Sequence, residues 1–517
     1  MDNAQSVWTA THAIARRPPL DRDEDADVCV IGAGIAGTST AYVLAREGRR
    51  VVLVDDGGIG GGMTSRTTAH LQSAIDDRFH ALAKLHGETG ARLAYESHAA
   101  AVDAIERFVA DERIACDFRR LDGYLFGPPG DGSDELEREL EAAHNAGFSD
   151  ASLVSRAPLK GFETGRALRF PRQAQFHPLR YLDGLANAFE RHGGRIACAS
   201  HALEVVGGAS AYVRMRDGPV VFAKSIVVAT NAPINDRLVI HTKQAPYMTY
   251  VVGLELDTPA ELALYWDTRQ HADEPGSGEA PYHYARIVEL GERGNVLIVG
   301  GEDHKSGQRD DGNERYERLE RWARERWPMA GALRYRWGGQ VMEPNDRLAF
   351  IGRNPGDDDN VYICTGDSGN GMTHGTIAAL LIGDLIAGRS NPWESLYEPS
   401  RVKLRGVSDF AKENLNVAKQ YVAGYAGGGD VSEEAEIAPG TGAILRRGLS
   451  KIAAYRDAAG TLHEHSAVCP HLGCIVAWNS SERTWDCPCH GSRFSREGKV
   501  INGPANRDLS PASHTVE

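Results

Sequence analysis

The stretch Val28-Cys29-Val30-Ile31-Gly32-Ala33-Gly34-Ile35-Ala36-Gly37 decides the fold of the first part of the chain. Its four leading apolar residues predict a buried strand that runs into a glycine-rich turn. An alanine-rich helical pattern follows over 35–47, and a second apolar run, Val51–Val54, then leads into Asp55. Strand, turn, helix and strand in this order predict a parallel α/β unit.

The glycine turn has the GxGxxG spacing of a dinucleotide-binding site. Gly32 permits a tight turn, Gly34 lets the backbone approach a pyrophosphate, and Gly37 allows the helix to pack closely on the strand. The N-terminus of the helix presents free N–H groups and a positive dipole end to the phosphates. Asp55 can accept hydrogen bonds from a ribose diol. FAD and NAD sites share this motif, so it leaves the dinucleotide open, and a glycine turn without a ligand is the alternative.

The composition argues against several classes of function. The chain has 517 residues, of which 42% are hydrophobic and 25% charged, and its length suits about three domains. Its 57 Lys and Arg against 71 Asp and Glu give a net charge of −14, so we expect no nucleic-acid binding. No apolar run reaches about eighteen residues, so we predict no transmembrane helix. Because Met1–Leu20 lacks the pattern of a secretory signal, we expect a cytoplasmic protein.

Four of the eight cysteines lie close together near the end of the chain. The segments Cys469-Pro470-His471 and Cys487-Pro488-Cys489-His490 have the spacings C-x-H and C-x-x-H. Two thiolates on one iron and two imidazoles on the other form the ligand set of a Rieske [2Fe–2S] cluster. A structural zinc site is the alternative, but zinc sites favour C-x2–4-C and H-x3–5-H spacings.

The segment resembles the Rieske family down to its His-Leu-Gly-Cys and Cys-Pro-Cys-His-Gly-Ser blocks, at 471–474 and 487–492. The resemblance implies four metal ligands: Cys469, His471, Cys487 and His490. In Rieske proteins of the cytochrome bc type the other two cysteines form a disulfide that ties the cluster loops together. The resemblance therefore implies a bridge between Cys474 and Cys489, as an exception to the rarity of disulfides in the cytoplasm.

Residues 25 to 400 resemble the D-amino-acid-oxidase-like family of FAD-dependent oxidoreductases. That family has a glycine-rich, polar segment near the flavin, here Gly60–His70, and a backbone segment that passes the cofactor, here Val227–Pro233. It closes the FAD site with a late strand–glycine–helix segment, which matches Asp346–Gly352 followed by Gly366–Thr373. The resemblance implies FAD as the cofactor, and a helix N-terminus near the flavin would stabilise negative charge on its reduced form. No second GxGxxG is present, which weighs against a reductase that takes hydride from NAD(P)H.

The residues that we expect to bind FAD form five groups along the chain. They are Gly32, Ala33, Gly34, Ile35, Ala36 and Gly37 in the turn; Asp55 and Asp56 after the second strand; Arg66, Thr67 and Thr68 in the polar segment; Ala202, Ala229, Thr230 and Asn231 in the middle of the chain; and Gly366, Gly369, Asn370, Gly371, Met372 and Thr373 in the late segment.

Four residues are candidates for catalysis, although no motif marks them. His70 ends the polar segment, so it could contact the flavin or bind it covalently, or it could be a hydrogen-bonding loop histidine. Tyr250, Tyr284 and Arg286 lie in the region that forms the substrate domain of the resembled family. Arg286 could bind a substrate carboxylate, and the tyrosines could surround an amine. Core packing and surface ion pairing explain these three residues equally well.

Together these features predict an α/β FAD-binding fold, Rossmann-like and of the glutathione-reductase/D-amino-acid-oxidase type, with an α+β substrate domain and a small all-β Rieske domain. The predicted domains are an N-terminal segment at 1–26, an oxidoreductase at 27–400, a connecting helix and linker at 401–430, and a Rieske domain at 431–517. Within the oxidoreductase we expect FAD-binding parts at about 27–75, 180–235 and 335–395, with the substrate-domain parts between them.

Two redox centres on one chain imply an electron relay. We expect an amine or amino acid to deliver a hydride to the flavin, and the cluster to pass the electrons on to an external acceptor. One alternative is an oxidase, in which oxygen reoxidises the flavin and the Rieske domain is a sensor or a structural appendage. Another is an electron-transfer protein that has no small substrate and is reduced by a partner.

Overall fold

The strand and helix boundaries come from a computed structural model, which describes residues 5–127, 133–235, 239–256, 261–268, 282–402 and 407–512. The strands within these ranges are β1 Glu24–Ile31, β2 Val51–Val54, β3 His70–Leu71, β4 Arg119–Phe126, β5 Ser152–Val154, β6 Ala167–Gln175, β7 Arg195–Ala197, β8 Ala202–Val206, β9 Tyr212–Met215, β10 Val220–Val228, β11 Gln244–Leu256, β12 Leu264–Asp267, β13 His283–Glu289, β14 Asn295–Lys305, β15 Leu333–Pro344, β16 Phe350–Arg353, β17 Val361–Thr365, β18 Gly442–Arg447, β19 Ser450–Arg456, β20 Leu462–Ser466, β21 Ala477–Asn479, β22 Thr484–Asp486, β23 Arg493–Ser495 and β24 Val500–Asn502.

The helices alternate with the strands in the first part of the chain and become rare towards its end. They are α1 Val7–Thr11, α2 Ile35–Arg46, α3 Phe79–Asp111, α4 Ser133–Asn145, α5 Pro178–Arg191, α6 Gly312–Arg326, α7 Gly371–Ile386, α8 Glu394–Tyr397 and α9 Val407–Ala426. Gly87 has φ 77° and kinks α3. Among the helices described, none combines the length and the apolar character needed to cross a membrane.

A sheet of mainly parallel strands carries the predicted strand–turn–helix–strand unit. Its strand order is β16-β17-β10-β1-β2-β7, and the pairs from β17 to β7 are all parallel. Val28–Ile31 and Val51–Val54 are buried, as expected for parallel strands that are covered on both faces. Ligands of such sheets bind beyond the carboxyl ends of the strands. In this chain that edge carries the glycine turn.

A nine-stranded, mostly antiparallel sheet forms the second layer. Its strand order is β15-β11-β14-β13-β12-β4-β6-β3, with β5 paired to β6. One face packs on α6 through a core that includes Tyr250, Leu319 and Trp322. Because successive side chains of a strand point to opposite faces, residues such as Thr249 and Tyr284 lie on the other face, which turns toward the parallel sheet.

The end of the chain forms two small antiparallel sheets, β18-β19-β20 and β21-β22-β23-β24, here called the C-terminal β domain. A common core that includes Trp478, Trp485 and Phe494 holds its elements together. Helix α9 leads into this domain, and the Tyr425 hydroxyl donates to the carbonyl of Gly473 at 2.8 Å. The predicted fold class, an α/β dinucleotide fold with an α+β layer and a small all-β domain, is confirmed.

Candidate functional site

A cavity of about 600 Å³ lies where the two large sheets and the C-terminal β domain meet. The glycine turn after β1 and the start of α7 form one side of it, and residues of β11, β12, β13 and β15 form another. Thr484, Arg493 and Asn506 of the C-terminal β domain also line the cavity. Both large sheets and the C-terminal β domain therefore contribute residues to one cavity.

The glycine turn is built for close approach of a ligand and of its own backbone. Gly32 has φ +102°, and a Cβ at this position would lie 2.4 Å from the carbonyl oxygen of Ala229. A Cβ on Gly37 would lie 1.8 Å from the carbonyl oxygen of Gly32. Larger residues at these two positions would collide with the backbone, so only glycines allow the tight turn and the close helix packing of a dinucleotide-binding motif. The group that the sequence implies, FAD, therefore suits this side of the cavity.

Asp55 ends β2 and fixes the shape of the turn. Its carboxylate accepts hydrogen bonds from Ala33 N at 2.7 Å and from Gly57 N at 2.8 Å. Burial raises the pKa of Asp55 to about 6, although the hydrogen bond from Ala33 N acts in the opposite direction. Because Asp55 also lines the cavity, its carboxylate both holds the turn and faces the space where a ribose would lie.

Most of the residues predicted to bind FAD converge on this cavity. Those that line it are Gly32, Gly34, Ile35, Ala36, Asp55, Asp56, Arg66, Thr67, Thr68, Ala202, Ala229, Thr230, Asn231, Gly366, Gly369, Gly371 and Met372. Ala33, Gly37, Asn370 and Thr373 are outside the lining and support it. Asn370, for example, precedes α7 and accepts a hydrogen bond from Gln72 Nε2 at 2.9 Å. FAD contacts at each of these positions stay a prediction.

His70 and Tyr284 are the two catalytic candidates that line the cavity. Burial and the nearby charge of Arg286 together lower the pKa of His70 to about 3, so the imidazole is neutral. His70 Nδ1 lies 3.0 Å from Thr68 Oγ1, and the centroid of the His70 ring is 5.8 Å from that of the Tyr284 ring. Trp266 also belongs to this aromatic group, and the centroid of its ring lies 6.0 Å from that of the His70 ring.

Tyr250 and Arg286, the other two candidates, do not line the cavity. Tyr250 points to the α6 side of its sheet, where its hydroxyl lies 2.9 Å from His304 Nε2. Arg286 is buried, and its guanidinium donates to the carbonyls of Ala69 and Phe176. The structure therefore offers no support for a role of Arg286 in binding a substrate carboxylate.

Asp76, Asp77, Asp303 and Glu343 also line the cavity and are outside the residues predicted to bind FAD or to catalyse. Asp76 accepts hydrogen bonds from Gln72 Nε2 at 2.7 Å and from the Tyr282 hydroxyl at 3.0 Å. Ser368 Oγ lies 2.8 Å from Asp77 and 2.7 Å from Glu343. Asp76 and Asp77 lie in the loop between β3 and α3, Asp303 in β14 and Glu343 in β15, so no single motif contains them. We call them the acidic wall.

The four predicted metal ligands meet at the tip of the C-terminal β domain. The thiols of Cys469 and Cys487 are hydrogen-bonded to each other, which lowers the pKa of Cys469 and raises that of Cys487. The rings of His471 and His490 lie with centroids 5.0 Å apart. Burial lowers the pKa of His490 to about 4, so it is a neutral imidazole, the form that binds a metal. Two thiols beside two imidazoles fit the donor set of a Rieske cluster.

The structure joins Cys474 and Cys489 in a disulfide, as the resemblance implied. The Sγ atoms of these two residues and of Cys487 lie within 4.8 Å of one another. Since two of the three sulfurs are bonded to each other, this trio is not the ligand set. Ser492 also holds the site together, because its Oγ accepts a hydrogen bond from Ala505 N at 2.9 Å.

The cluster loops are docked against the oxidoreductase part of the chain. Gln340 Nε2 donates to the carbonyl of Gly491 at 2.7 Å, and Gln308 Nε2 donates to that of Pro488 at 3.2 Å. The ring of His241, which is 2% exposed, lies with its centroid 5.0 Å from that of His471. The oxidoreductase part therefore contacts both cluster histidines, of which His490 is buried and His471 half-buried.

Family models and a full-length relative match the whole architecture. A model described as DAO, FAD dependent oxidoreductase, matches residues 27–385, and one described as Rieske [2Fe-2S] domain matches residues 429–513. A protein of Bacillus subtilis (strain 168) named as a Rieske 2Fe-2S iron-sulfur protein, YhfW, is 32% identical over 507 residues, which are 98% of this chain and 97% of that protein.

Two further proteins resemble the first part of the chain. Gamma-glutamylputrescine oxidoreductase of Escherichia coli (strain K12) is 27% identical over 387 residues, covering 73% of this chain and 87% of that protein. The crystal structure of glycine oxidase from Geobacillus kaustophilus superposes with a TM-score of 0.59 at 16% identity, covering 73% of this chain and 99% of that one. At that identity the superposition shows the same fold.

Proposed function

The chain belongs to the DAO family of FAD-dependent oxidoreductases and carries a Rieske [2Fe–2S] domain, and on that premise we propose that it oxidises a C–N bond of an amine or amino acid and passes the electrons through the cluster to an external acceptor. Bound FAD supplies a two-electron acceptor, and the cluster supplies a one-electron acceptor. The observation that carries the proposal is the shared cavity, which the glycine turn and the C-terminal β domain line together.

The acidic wall favours a cationic amine over an amino acid. The carboxylates of Asp76, Asp77, Asp303 and Glu343 lie on this part of the wall, with Arg347 as a basic partner at 3.9 Å from Asp77, so they would attract an ammonium group and repel a carboxylate. The basic side chains of the lining are engaged elsewhere: Arg66 pairs with Glu482 at 2.7 Å. The relative that acts on gamma-glutamylputrescine is named for a substrate that carries an amine.

The aromatic side chains of the cavity suit the same class of substrate. Trp266, Tyr282 and Tyr284 line it beside the acidic wall, and aromatic faces bind ammonium groups through cation–π attraction. The neutral imidazole of His70 adds no positive charge that would repel such a substrate. Carboxylates would anchor the ammonium group while the aromatic rings fix the orientation of the carbon that is oxidised.

An anaerobic titration tests the proposal. We expect a diamine or polyamine to bleach the flavin absorbance and then to give the electron paramagnetic resonance signal of a reduced Rieske cluster. The α-amino acids of similar size serve as the control, and we expect them to bleach the flavin at higher concentrations. A flavin that no amine and no amino acid bleaches would contradict the proposal and favour an electron-transfer protein without a small substrate.

The oxidase alternative predicts a different product. In air, an oxidase forms one hydrogen peroxide for each substrate molecule that it oxidises, and His471→Ala would not change this yield. The relay requires peroxide to fall when an external acceptor such as ferricyanide is added, and His471→Ala to abolish that fall. The shared cavity supports the relay, because a sensor domain would not need to line the flavin site.

A further inference from the structure

One glutamine touches both redox sites. Gln340 lies in β15 and lines the large cavity together with its neighbours Gly339 and Val341. Its Nε2 donates to the carbonyl of Gly491 at 2.7 Å, and Gly491 directly follows the predicted cluster ligand His490. The side chain is 2% exposed, so water does not compete for this hydrogen bond.

The two parts of the chain approach each other here as closely as their atoms allow. Gly491 has φ +81°, and a Cβ on it would lie 2.8 Å from Gln340 Nε2 and 2.4 Å from the Cβ of Pro246. Gly307, in the turn after β14, would place a Cβ 2.8 Å from the carbonyl oxygen of Asp486. Any larger side chain at either glycine would push the cluster loop away from the oxidoreductase part.

Gln340 is also tied to the polar segment beside the glycine turn. Its backbone N–H donates to Met63 Sδ at 3.1 Å, and Met63 also lines the cavity. Gln340 Oε1 is buried and has no hydrogen-bond partner among the described residues. A residue that served only to dock the two parts would have no need to line the cavity.

We propose that Gln340 is the positioning residue that joins the flavin site to the cluster, holding the loop of His490 at the cavity wall so that electrons cross there. This inference rests on the relay of the proposed function. Each substrate supplies two electrons, which leave the flavin one at a time. Each electron reduces one ferric ion of the cluster to ferrous, and an external one-electron acceptor, for which ferricyanide is the probe, removes it before the next electron follows.

Gln308 offers a matched control. Its Nε2 donates to the carbonyl of Pro488, also in the second cluster loop, at 3.2 Å. Gln308 is not among the residues that line the large cavity. Gln308→Leu therefore removes the same kind of contact between the two parts of the chain without changing the cavity wall, whereas Gln340→Leu removes the contact at the wall.

The experiment starts electron transfer without a substrate. A light flash in the presence of EDTA reduces the flavin in the full-length protein, and freeze-quench electron paramagnetic resonance follows the appearance of the reduced cluster. The same spectra report the g values and the amount of cluster, so preparations are compared at equal flavin and iron content. Gln340→Glu is the second variant, since it keeps the shape of the side chain but replaces the donor by an acceptor.

We expect both Gln340 variants to slow the reduction of the cluster on the order of tenfold, because each loses a buried hydrogen bond and leaves the carbonyl of Gly491 without its donor. We expect Gln308→Leu to leave the rate of cluster reduction unchanged. Equal slowing in the Gln308 and Gln340 variants would show a general docking role and overturn the proposal, as would unchanged rates in the Gln340 variants. A parent protein whose flavin never reduces the cluster would instead contradict the relay itself, so the two failures are distinguishable.

Discussion

At the scale of single residues, Asp76 shows how a negative charge is held in the cavity wall. It stands in the acidic wall and accepts hydrogen bonds from Gln72 Nε2 at 2.7 Å and from the Tyr282 hydroxyl at 3.0 Å. Both donors bond the same carboxylate oxygen, Oδ1, and so fix the position of the carboxylate. A fixed negative charge of this kind discriminates between ammonium and carboxylate groups on a substrate.

We predict that Asp76→Asn weakens the binding of a diamine roughly tenfold, because a hydrogen bond to a charged group contributes about 1.5 kcal/mol. The measurement is the concentration of diamine that bleaches half of the flavin under anaerobic conditions. Tyr282→Phe is the control, since it removes a hydroxyl but keeps the carboxylate of Asp76. If the Asn variant and its parent bleach at the same concentration, the acidic wall does not bind the amine.

At the scale of elements, the sheet and helix behind the cavity are joined by a buried charged network. His283 of β13 lies between Asp267 of β12, at 2.8 Å, and Glu302 of β14, at 3.3 Å. Arg318 of α6 pairs with Glu302 at 2.6 Å, and the Trp322 ring stacks on that of His283 with centroids 4.7 Å apart. The network therefore ties α6 to three neighbouring strands whose opposite face meets the cavity.

This network predicts how stability depends on pH. Burial alone would lower the pKa of His283, but Asp267 and Glu302 raise it to about 9, above the ordinary value of 6.5. The folded state therefore binds the proton of His283 more tightly than the unfolded state does. The resulting stabilisation of the fold is complete below pH 6.5 and is lost as the pH rises to 9. We expect this loss to be on the order of 3 kcal/mol.

The check is urea unfolding at several pH values between 6 and 9.5. His283→Gln should be less stable than its parent at the low end of this range and should respond less to pH. His463→Gln is the control, because its ring is 37% exposed and pairs with Asp457 at the surface. Equal pH dependence in His283→Gln and in the parent would disprove the role of the network.

At the scale of the whole molecule, the hairpin between β21 and β22 anchors the C-terminal β domain. The side chain of Glu482 is 2% exposed and pairs with Arg66 at 2.7 Å. The same carboxylate accepts from Gly338 N at 3.1 Å and from the Tyr316 hydroxyl at 3.4 Å. Because Arg66 lines the cavity, this anchor links the position of the domain to the shape of the flavin site.

We predict that Glu482→Gln destabilises the docked arrangement by roughly 1–3 kcal/mol, less than for a fully buried pair, since Arg66 is 30% exposed. Calorimetry should show the C-terminal β domain unfolding separately and at a lower temperature than in the parent. Glu434→Gln is the control, because its pair with Arg447 lies at the surface of the same domain. A single, unshifted transition in Glu482→Gln would contradict the anchor.

The sequence predicted both cofactors, and two of the four catalytic candidates, Tyr250 and Arg286, lie outside the cavity lining. Tyr250 lies outside the lining because neighbouring residues of a strand point to opposite faces, so that Thr249 lines the cavity and Tyr250 does not. Arg286 lies outside the lining, and its guanidinium packs against α1, 5.1 Å from the centroid of the Trp8 ring. Neither the choice of face nor the covering helix can be derived from the few residues around these positions.

By itself, the sequence determined the two-domain architecture, the glycine turn and the grouping of cysteines and histidines. These features are local, since the residues of the turn and of each cluster loop lie within six positions of one another and their spacing alone carries the chemistry. The tertiary structure decided the acidic wall, the contact of Gln340 with Gly491 and the anchor at Glu482. Gln340 and Gly491 are 151 positions apart, and no periodicity or motif encodes a pair that only the packing of two domains brings together.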